Sequence, residues 1–468
     1  MLIACTAALG ACGRDVGTPP PSRPGTPTPI AAVPREWPEN SLSARVVFAV
    51  NDADFVRVSY RIAGGALVST PWRPARAGED TIIVLGLRAD RDYEYQVDAT
   101  ANGVNRSSVT STFRTLPLPE VLRNIQMVNI AGAPSQYSIT GVGGYALAFD
   151  ATGNIVWYHS FASHELPVWV ARQENGNFTA FLGTSTGWQP VLGYFIEFTP
   201  EGKEIARYDA PAGYYMDDHE LLITGAGASK RAHFFTYSIR TLDLTSIGGR
   251  ASVETAAHQV IRSDVAGNVE FTWDAWDHIT PDEWVGDAAA RAARTSTDYD
   301  HPNAVTFDPA GNYVVSWRNM NQIMAIDSRT GAVLWRLGGK KGEFTFVDDP
   351  LGGFSKQHAV KILPNGNVLL LDNGSDHNPP QSRAVEYRLD HAAKTATMVW
   401  ESRHDPMFHA MYIGWVDRLS NGNTFIGYTF FGRVVEALPN GTIGWEGQLR
   451  ANGVDVSAYR IIPVSTLY

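Results

Sequence analysis

Four histidines stand at related places in this chain of 468 residues. His219, His258, His301 and His358 lie 6, 9, 10 and 8 residues before a turn glycine, namely Gly225, Gly267, Gly311 and Gly366. Most have companions able to hold or move charge. "DYDHPNAVTFDPAGNYVVSWRN" puts Asn303 two residues after His301, and Arg318 at the end of the returning segment. "QHAVKILPNGNVLLLDNG" brings Asp372 and Asn373 back to the level of His358, and "YYMDDHELL" sets Asp217 and Asp218 before His219. His258, in "TAAHQVIRS", has no polar companion. Imidazoles, a guanidinium and amides suit an anionic group. Arginine offers a planar fork of donors, and histidine a donor or a nucleophile near neutral pH. Few carboxylates are expected to point inwards. A three-histidine zinc site is the competing reading. Arg318 at the same level would repel a dication, so neither a metal nor another cofactor is expected.

Bringing these residues together requires a repeating scaffold. Gly 43, Pro 27, Trp 13, Tyr 18 and Phe 20 describe a turn-rich, aromatic-rich chain, 44% apolar, which favours an all-β fold. "ENGNFTAFLG", "VAGNVEFTW", "PAGNYVVSW", "PNGNVLLLD" and "SNGNTFIGY" carry turn glycines at 176, 267, 311, 366 and 422, spaced by 91, 44, 55 and 56 residues. The first interval is close to two repeats, and "ITGAG" at 223–227 supplies the missing turn. Strand, turn, strand and longer return, repeated over about 340 residues, predict a six-bladed β-propeller. Equivalent positions on the inner strands would then meet at the axis. One stretch, "DEWVGDAAARAARTS" at 282–296, reads as helix and as an insertion. His159, His164, His278, His391 and His404 read as structural or surface residues.

Upstream, residues 38–118 carry short alternating strands such as "RVVFAV" and "YEYQVDAT", the spacing of a small fibronectin-III-like β-sandwich. Residues 13–37 are proline-rich and read as a tether, and residues 119–468 as the propeller. Residues 1–12 resemble the end of a bacterial lipoprotein signal, with Cys12 as the lipidated residue; the positive n-region is missing, which suggests an internal Met1. That places the protein in the periplasm, held to the outer membrane. Cys5 and Cys12 are the two cysteines, so the folded body has no disulfide and no thiol chemistry. No later apolar run reaches the ~18 residues of a membrane span. Lys+Arg 38 against Asp+Glu 48 gives a net charge of -10, which argues against a nucleic-acid partner.

"DYDHPNAV" with "VVSWRN", then "KQHAVKILPNGNVLLLDNGSDHNPPQSRAVEYRLD", "MVWE", "DDHELL" and "YRIIPVSTLY", resemble the bacterial arylsulfate sulfotransferases. The resemblance runs from about residue 120 to the C terminus. It implies a six-bladed propeller that needs no nucleotide sulfate donor. It also implies sulfuryl transfer from a phenolic sulfate ester to a phenol, ping-pong, through a sulfohistidine. Carried over, His358 is the nucleophile, His301 and Arg318 hold the sulfate oxygens, and His219 completes the cradle. Asn303 is the motif asparagine, and Asn373 is inferred to orient the nucleophile. A family disulfide is absent, and "MFHAMYIGW" stands where small hydroxyl residues are expected. His409 and Tyr412 would reshape the phenol pocket there. Tyr214, Tyr215, Trp317 and Tyr412 are candidates to sandwich the rings, with blade packing the competing reading. A neutral His358 implies a rate that falls as pH drops through its pKa. Expected partners are the donor, the acceptor, a second copy of the chain, and the membrane only through a lipid on Cys12.

Other classes fit less well. "AIDSRTGAVLW" at 325–335 is like a blade motif of quinoproteins, but it occurs once and docks blades. A non-catalytic scaffold or binding propeller would not need a histidine ring with an arginine.

Overall fold

The computed structural model describes residues 24–36, 39–161, 166–184, 192–286 and 288–468. Cys5, Cys12 and His164 lie outside them, as does the signal-like segment. Two compact units are formed. One comprises the described residues up to Val33 with Arg45–Val84 and Asp92–Phe113; the other comprises the described residues of Pro34–Ala44, Leu85–Arg91 and Arg114–Tyr468. The first holds two sheets, of three and six strands. Among its strands Phe55–Ile62 and Asp92–Ala101 pair antiparallel, and Tyr93 stacks on Phe113.

The second unit is a six-bladed β-propeller, each blade one sheet. From the innermost strand outward, blade 1 is Ile461–Val464, Tyr137–Val142, Tyr145–Phe149 and Ile155–Ser160. Blade 2 is Leu166–Arg172, Phe178–Thr184, Leu192–Phe198 and Glu204–Tyr208. Blade 3 is Tyr215–Thr224, Arg231–Leu242, Val253–Ser263 and Val269–Asp274, with Ser296–Asp298 added to its third strand. Blade 4 is Pro302–Phe307, Tyr313–Trp317, Gln322–Ile326 and Val333–Gly338. Blade 5 is His358–Ile362, Val368–Asp372, Arg383–Asp390 and Thr395–Arg403, with Thr345–Val347 beside the last. Blade 6 is Trp415–Arg418, Thr424–Tyr428, Arg433–Ala437 and Ile443–Ala451. The ring is closed twice. The C-terminal strand is innermost in blade 1, and Ile125–Ala131 pairs with the outer strand of blade 6.

The Gly-Asn turns work as their residues dictate. In blade 5 the Leu363 carbonyl accepts from Gly366 N at 2.8 Å, and Leu363 N donates to Asn367 O at 2.9 Å. Gly366 closes the turn at φ 83°, a conformation that costs residues with a Cβ. Indole N–H groups then clip blades together. Trp157 donates to Pro200 O (2.8 Å), Trp273 to Gly331 O (3.0 Å) and Trp400 to Pro439 O (3.0 Å), each in the next blade's outer turn.

Two expectations are corrected. The Gly267 turn joins the third and fourth strands of blade 3, so His258 lies on the third strand and not on an inner hairpin. The helix expected over 282–296 is only Ala288–Ala293, and Pro281–Glu283 is a 3-10 turn whose Thr280 N–H donates to Glu283 Oε1 at 3.0 Å.

Candidate active site

The inner strands of blades 3, 4 and 5 are irregular where they carry the site. In blade 3 the register jumps from Met216–Thr236 to Leu221–Phe234, lifting Asp217, Asp218, His219 and Glu220 out of the ladder. In blade 4 it jumps from Pro302–Trp317 to Ala304–Ser316, around Asn303. In blade 5 it jumps from His358–Leu371 to Lys361–Leu369. His301 (φ 46°) and Ala359 (φ 54°) take left-handed conformations at these places. Such bulges re-aim side chains, and held strain of this kind gathers at sites.

His358 is 4% exposed. Asn373 Nδ2 donates to Ala410 O (2.7 Å) and Ile413 O (3.0 Å), which leaves its Oδ1 as an acceptor. That oxygen lies 2.7 Å from His358 Nδ1, so the ring carries its proton on Nδ1. The lone pair is on Nε2, which accepts from the Ile413 N–H at 3.2 Å. Ile413 is itself left-handed, at φ 56°. Burial first, and then the Arg318 charge, push the His358 pKa well below its ordinary value. The ring is a neutral imidazole with a defined nucleophilic nitrogen.

Around it stand His219, His301 and Arg318. The His219 and His301 rings meet edge to face, 4.6 Å between centroids. His219 Nδ1 is 3.0 Å from both Asp217 oxygens. Burial opposes charge on His219, but Asp217 outweighs it and raises the pKa. His301 Nδ1 bonds Asp298 closely, and Arg318 N donates to His301 O at 2.9 Å. Burial lowers the His301 pKa despite Asp298; burial opposes charge on Asp298, but the attraction of the His301 ring, followed by its hydrogen bond, holds the Asp298 pKa down to about 2. Arg318 donates to Asn319 Oδ1 (2.9 Å) and reaches Met411 O (3.3 Å). Among the described residues it forms no ion pair, although burial disfavours its charge.

Carboxylates are therefore abundant here, against expectation. Asp217 and Asp300 also hold His258, the histidine read as having no companion. His258 Nδ1 is 2.7 Å from Asp300 Oδ1, its N–H donates to Asp300 Oδ2 at 2.9 Å, and its Nε2 is 3.4 Å from Asp217 Oδ2. Burial opposes its charge, yet the two acids push its pKa up to about 10. Asp300 Oδ1 also accepts from His301 N at 2.8 Å. A chain His219–Asp217–His258–Asp300–His301 thus ties blade 3 to blade 4. Both nitrogens of His258 are engaged by carboxylates. Asp217, Asp218 and His219 lie close enough to touch one ion, but the oxygens of Asp217 already serve two imidazoles.

Other residues singled out earlier fall in different places. Asn303 is fully buried, and its amide donates to Gln357 O at 2.8 Å, bracing blades 4 and 5. Asp372 faces away from His358, accepting from Ser355 N (2.9 Å), His377 Nε2 (2.8 Å) and Arg383 Nε (3.0 Å). Trp317 is buried against Trp273, at 5.4 Å, and is closed to a substrate ring. Tyr215 stacks on Tyr237 (5.3 Å), and Tyr214 sits half-buried in the preceding turn. Tyr412 is 43% exposed beside the site loop, and His409 Nε2 meets Ser375 Oγ at 2.9 Å. Sequence reading missed Arg460, on the closing segment. It is buried, pairs with Glu220 Oε1 (2.9 Å) and donates to Asn303 O (2.9 Å), under the ring.

No curated protein matches the chain. Among solved structures, a protein of unknown function from Bacteroides caccae is 13% identical, with TM-score 0.43, over 71% of this chain and 100% of its own. A streptogramin B lyase is 13% identical, with TM-score 0.34, over 77% of this chain and 90% of its own. A catalytically inactive virginiamycin B lyase from Staphylococcus aureus, with quinupristin, is 9% identical, with TM-score 0.32, over 69% and 73%. Likenesses this weak decide nothing about activity. The model of the family described as arylsulfotransferase (ASST) matches residues 201–450, a span holding His219, His258, His301, Arg318, His358 and Asn373. That span is more than half of the 468 residues, and the chain belongs to the arylsulfotransferase (ASST) family.

Proposed function

We propose that the protein transfers a sulfuryl group from an aryl sulfate to a phenol in two steps through His358. The observation that carries this is the pairing of a buried neutral imidazole, its lone pair on Nε2, with an arginine that forms no ion pair among the described residues. A guanidinium not already forked onto a carboxylate is a place for sulfate oxygens. A neutral ring beside it is a nucleophile that does not compete for the anion.

In the first step Nε2 attacks sulfur in line. An N–S bond forms, the S–O(aryl) bond breaks, and its electron pair leaves on the phenolic oxygen. Arg318 holds the equatorial oxygens, where charge lies in the transition state, and His301, whose Nδ1–H goes to Asp298, donates to them from Nε2 only when its ring is protonated. Asp217 keeps His219 protonated through Nδ1, so its Nε2–H is the proton source for the leaving oxygen. The Nδ1–H of the sulfated ring stays on Asn373. In the second step the acceptor phenol returns a proton to His219 and attacks sulfur, and the N–S pair goes back to Nε2. No net proton or electron is consumed. The lipoprotein-type segment ending at Cys12 would put this exchange in the periplasm.

The test is release of 4-nitrophenol from 4-nitrophenyl sulfate by the full chain, with and without phenol. One equivalent released without phenol, steady turnover with it, and a His358 peptide heavier by one sulfuryl group are expected. All three should vanish in His358→Ala. Continuous release without phenol would mean a hydrolase, and no release a binding propeller.

A further inference from the structure

The loop that holds His358 and Asn373 has a second face. Ala410 O, Ile413 O and Ile413 N serve the site. Neighbouring residues of that loop, Met407 and Phe408, instead wall a cavity of 460 Å³ together with Phe430 and Phe431. That volume is within the range of small-molecule sites. A ladder of rings runs from the site to this cavity. Tyr412 meets Phe430 at 4.7 Å, Phe430 meets Phe431 at 4.9 Å, and Phe431 meets Phe408 at 5.6 Å, all edge to face. Tyr412 precedes Ile413, whose N–H touches the reactive nitrogen. The ladder is open to solvent: Met407, Met411, Tyr412 and Phe431 are 56, 43, 43 and 41% exposed. Four large apolar side chains exposed together on one loop system mark a contact surface.

Charges at the cavity are already matched. Arg433 lies 3.1 Å from Glu446, His404 3.2 Å from the same carboxylate, and Asp455 2.7 Å from Arg450. Nothing there calls for an ionic ligand.

We propose that this cavity is a subsite for the distal, uncharged aryl ring of an extended phenol, whose hydroxyl end is at His358. The inference rests on the sulfuryl-transfer reading and narrows it: the favoured acceptors are polyaryl phenols with no charge at the far end. Seating a second ring against the aromatic wall of Phe408, Phe430 and Phe431, opposite the polar wall of His404, Arg433, Gln448, Asp455 and Ser457, is worth at least roughly tenfold in specificity, which phenol cannot gather.

The experiment measures kcat/KM of the full chain for phenol, 4-phenylphenol and 4′-hydroxybiphenyl-4-carboxylate as acceptors, with 4-nitrophenyl sulfate as donor. The same is done for Phe430→Ala, Phe431→Ala and Ser457→Trp, the last of which fills the cavity with little change to the core. A wild-type preference for 4-phenylphenol over phenol of tenfold or more is expected. It should collapse in the variants and be absent for the carboxylate. An equal rate for phenol and 4-phenylphenol, or a preference that survives Ser457→Trp, overturns the subsite. If no acceptor supports release, the transfer reading fails separately. Titration of the protein with 4-phenylphenol then decides the cavity by itself: binding lost in Ser457→Trp upholds it, and no binding rejects it.

Discussion

Asn373 accepts the Nδ1 proton of His358 at 2.7 Å while two carbonyls, of Ala410 and Ile413, fix its own amide. The amide cannot turn over without placing its oxygen against both carbonyls and its N–H against the His358 N–H, losing all three bonds. The tautomer of His358 is therefore set by a loop between blades 5 and 6, not by the strand that bears the histidine.

Removing this bond should leave the nucleophile present but misdirected. Asn373→Ala is expected to lower the burst rate by about 10- to 100-fold, the usual effect of losing an orienting partner of a reactive histidine. Asn373→Asp keeps the acceptor but adds a negative charge, which favours the imidazolium. That variant should recover activity at high pH and lose it as pH falls. Identical pH profiles for Asn373→Asp and wild type would remove the orienting role.

The wild type should behave differently. The neutral ring is the reactive form, and burial with Arg318 lowers its pKa well below the ordinary value. Its protonation is then displaced below the usual histidine range, and the burst with 4-nitrophenyl sulfate should stay flat from pH 8 to about pH 5. A fall through the ordinary histidine range, as sequence reading alone implies, would mean that the ring is better solvated than its burial indicates. The alkaline side is set by His219, whose pKa is raised. As pH rises through it the proton donor is lost. Phenyl sulfate, a poor leaving group, should slow there, and 4-nitrophenyl sulfate should hardly change.

Arg318 forms no ion pair among the described residues, and Asp298 and Asp376 act on it only as nearby charges, so its removal reports chiefly on the substrate anion. Arg318→Lys keeps a charge but loses the fork. We expect kcat/KM for the donor to drop by about 10²- to 10³-fold in Arg318→Ala, with most of the loss remaining in Arg318→Lys. Full activity in the lysine variant would mean that only net charge matters. Thermal unfolding should shift little in either case.

How much of this was legible in the sequence depends on whether a residue's partner was near it. The propeller was readable because its Gly-Asn turns need a left-handed glycine, and that need repeats; the turns are not one to a blade, since the one at Gly267 closes an outer hairpin and blade 1 takes its inner strand from the C terminus. His219, His301 and His358 were readable because they share a place before inner-strand turns. His258 shared the phase for a different reason, since Gly267 closes an outer hairpin. Its partners, Asp217 and Asp300, are 41 residues before it and 42 after it. "DYDHP" did display two acids beside His301, and that was the signal for the carboxylates. Nothing could have signalled Ile413: its contribution is a backbone N–H, which nearly every residue has, aimed by the conformation of a loop. Asp372, the last residue of its strand, and Asn373, the first beyond it, serve different partners: Ser355, His377 and Arg383 for the one, His358, Ala410 and Ile413 for the other.

His258 offers the sharpest separation of structure from chemistry. It is 1% exposed and lies between Asp300 and Asp217, which push its pKa up to about 10. Unfolded, its pKa is about 6.5. Folding therefore binds a proton between these values, and stability falls with rising pH there. The contribution is complete below about pH 6.5, declines above it, and is gone above about pH 10. His258→Gln leaves two buried carboxylates without their cation and should cost about 3 to 5 kcal/mol at pH 6. Unfolding of wild type and variant, followed from pH 6 to pH 10, should show the gap closing as pH rises. A gap independent of pH would mean that His258 is neutral and holds the acids by hydrogen bonds alone. The surviving folded variant should also move the alkaline limb for phenyl sulfate upward. Without a positive neighbour, Asp217 would act on His219 alone, and the His219 proton would be held more tightly.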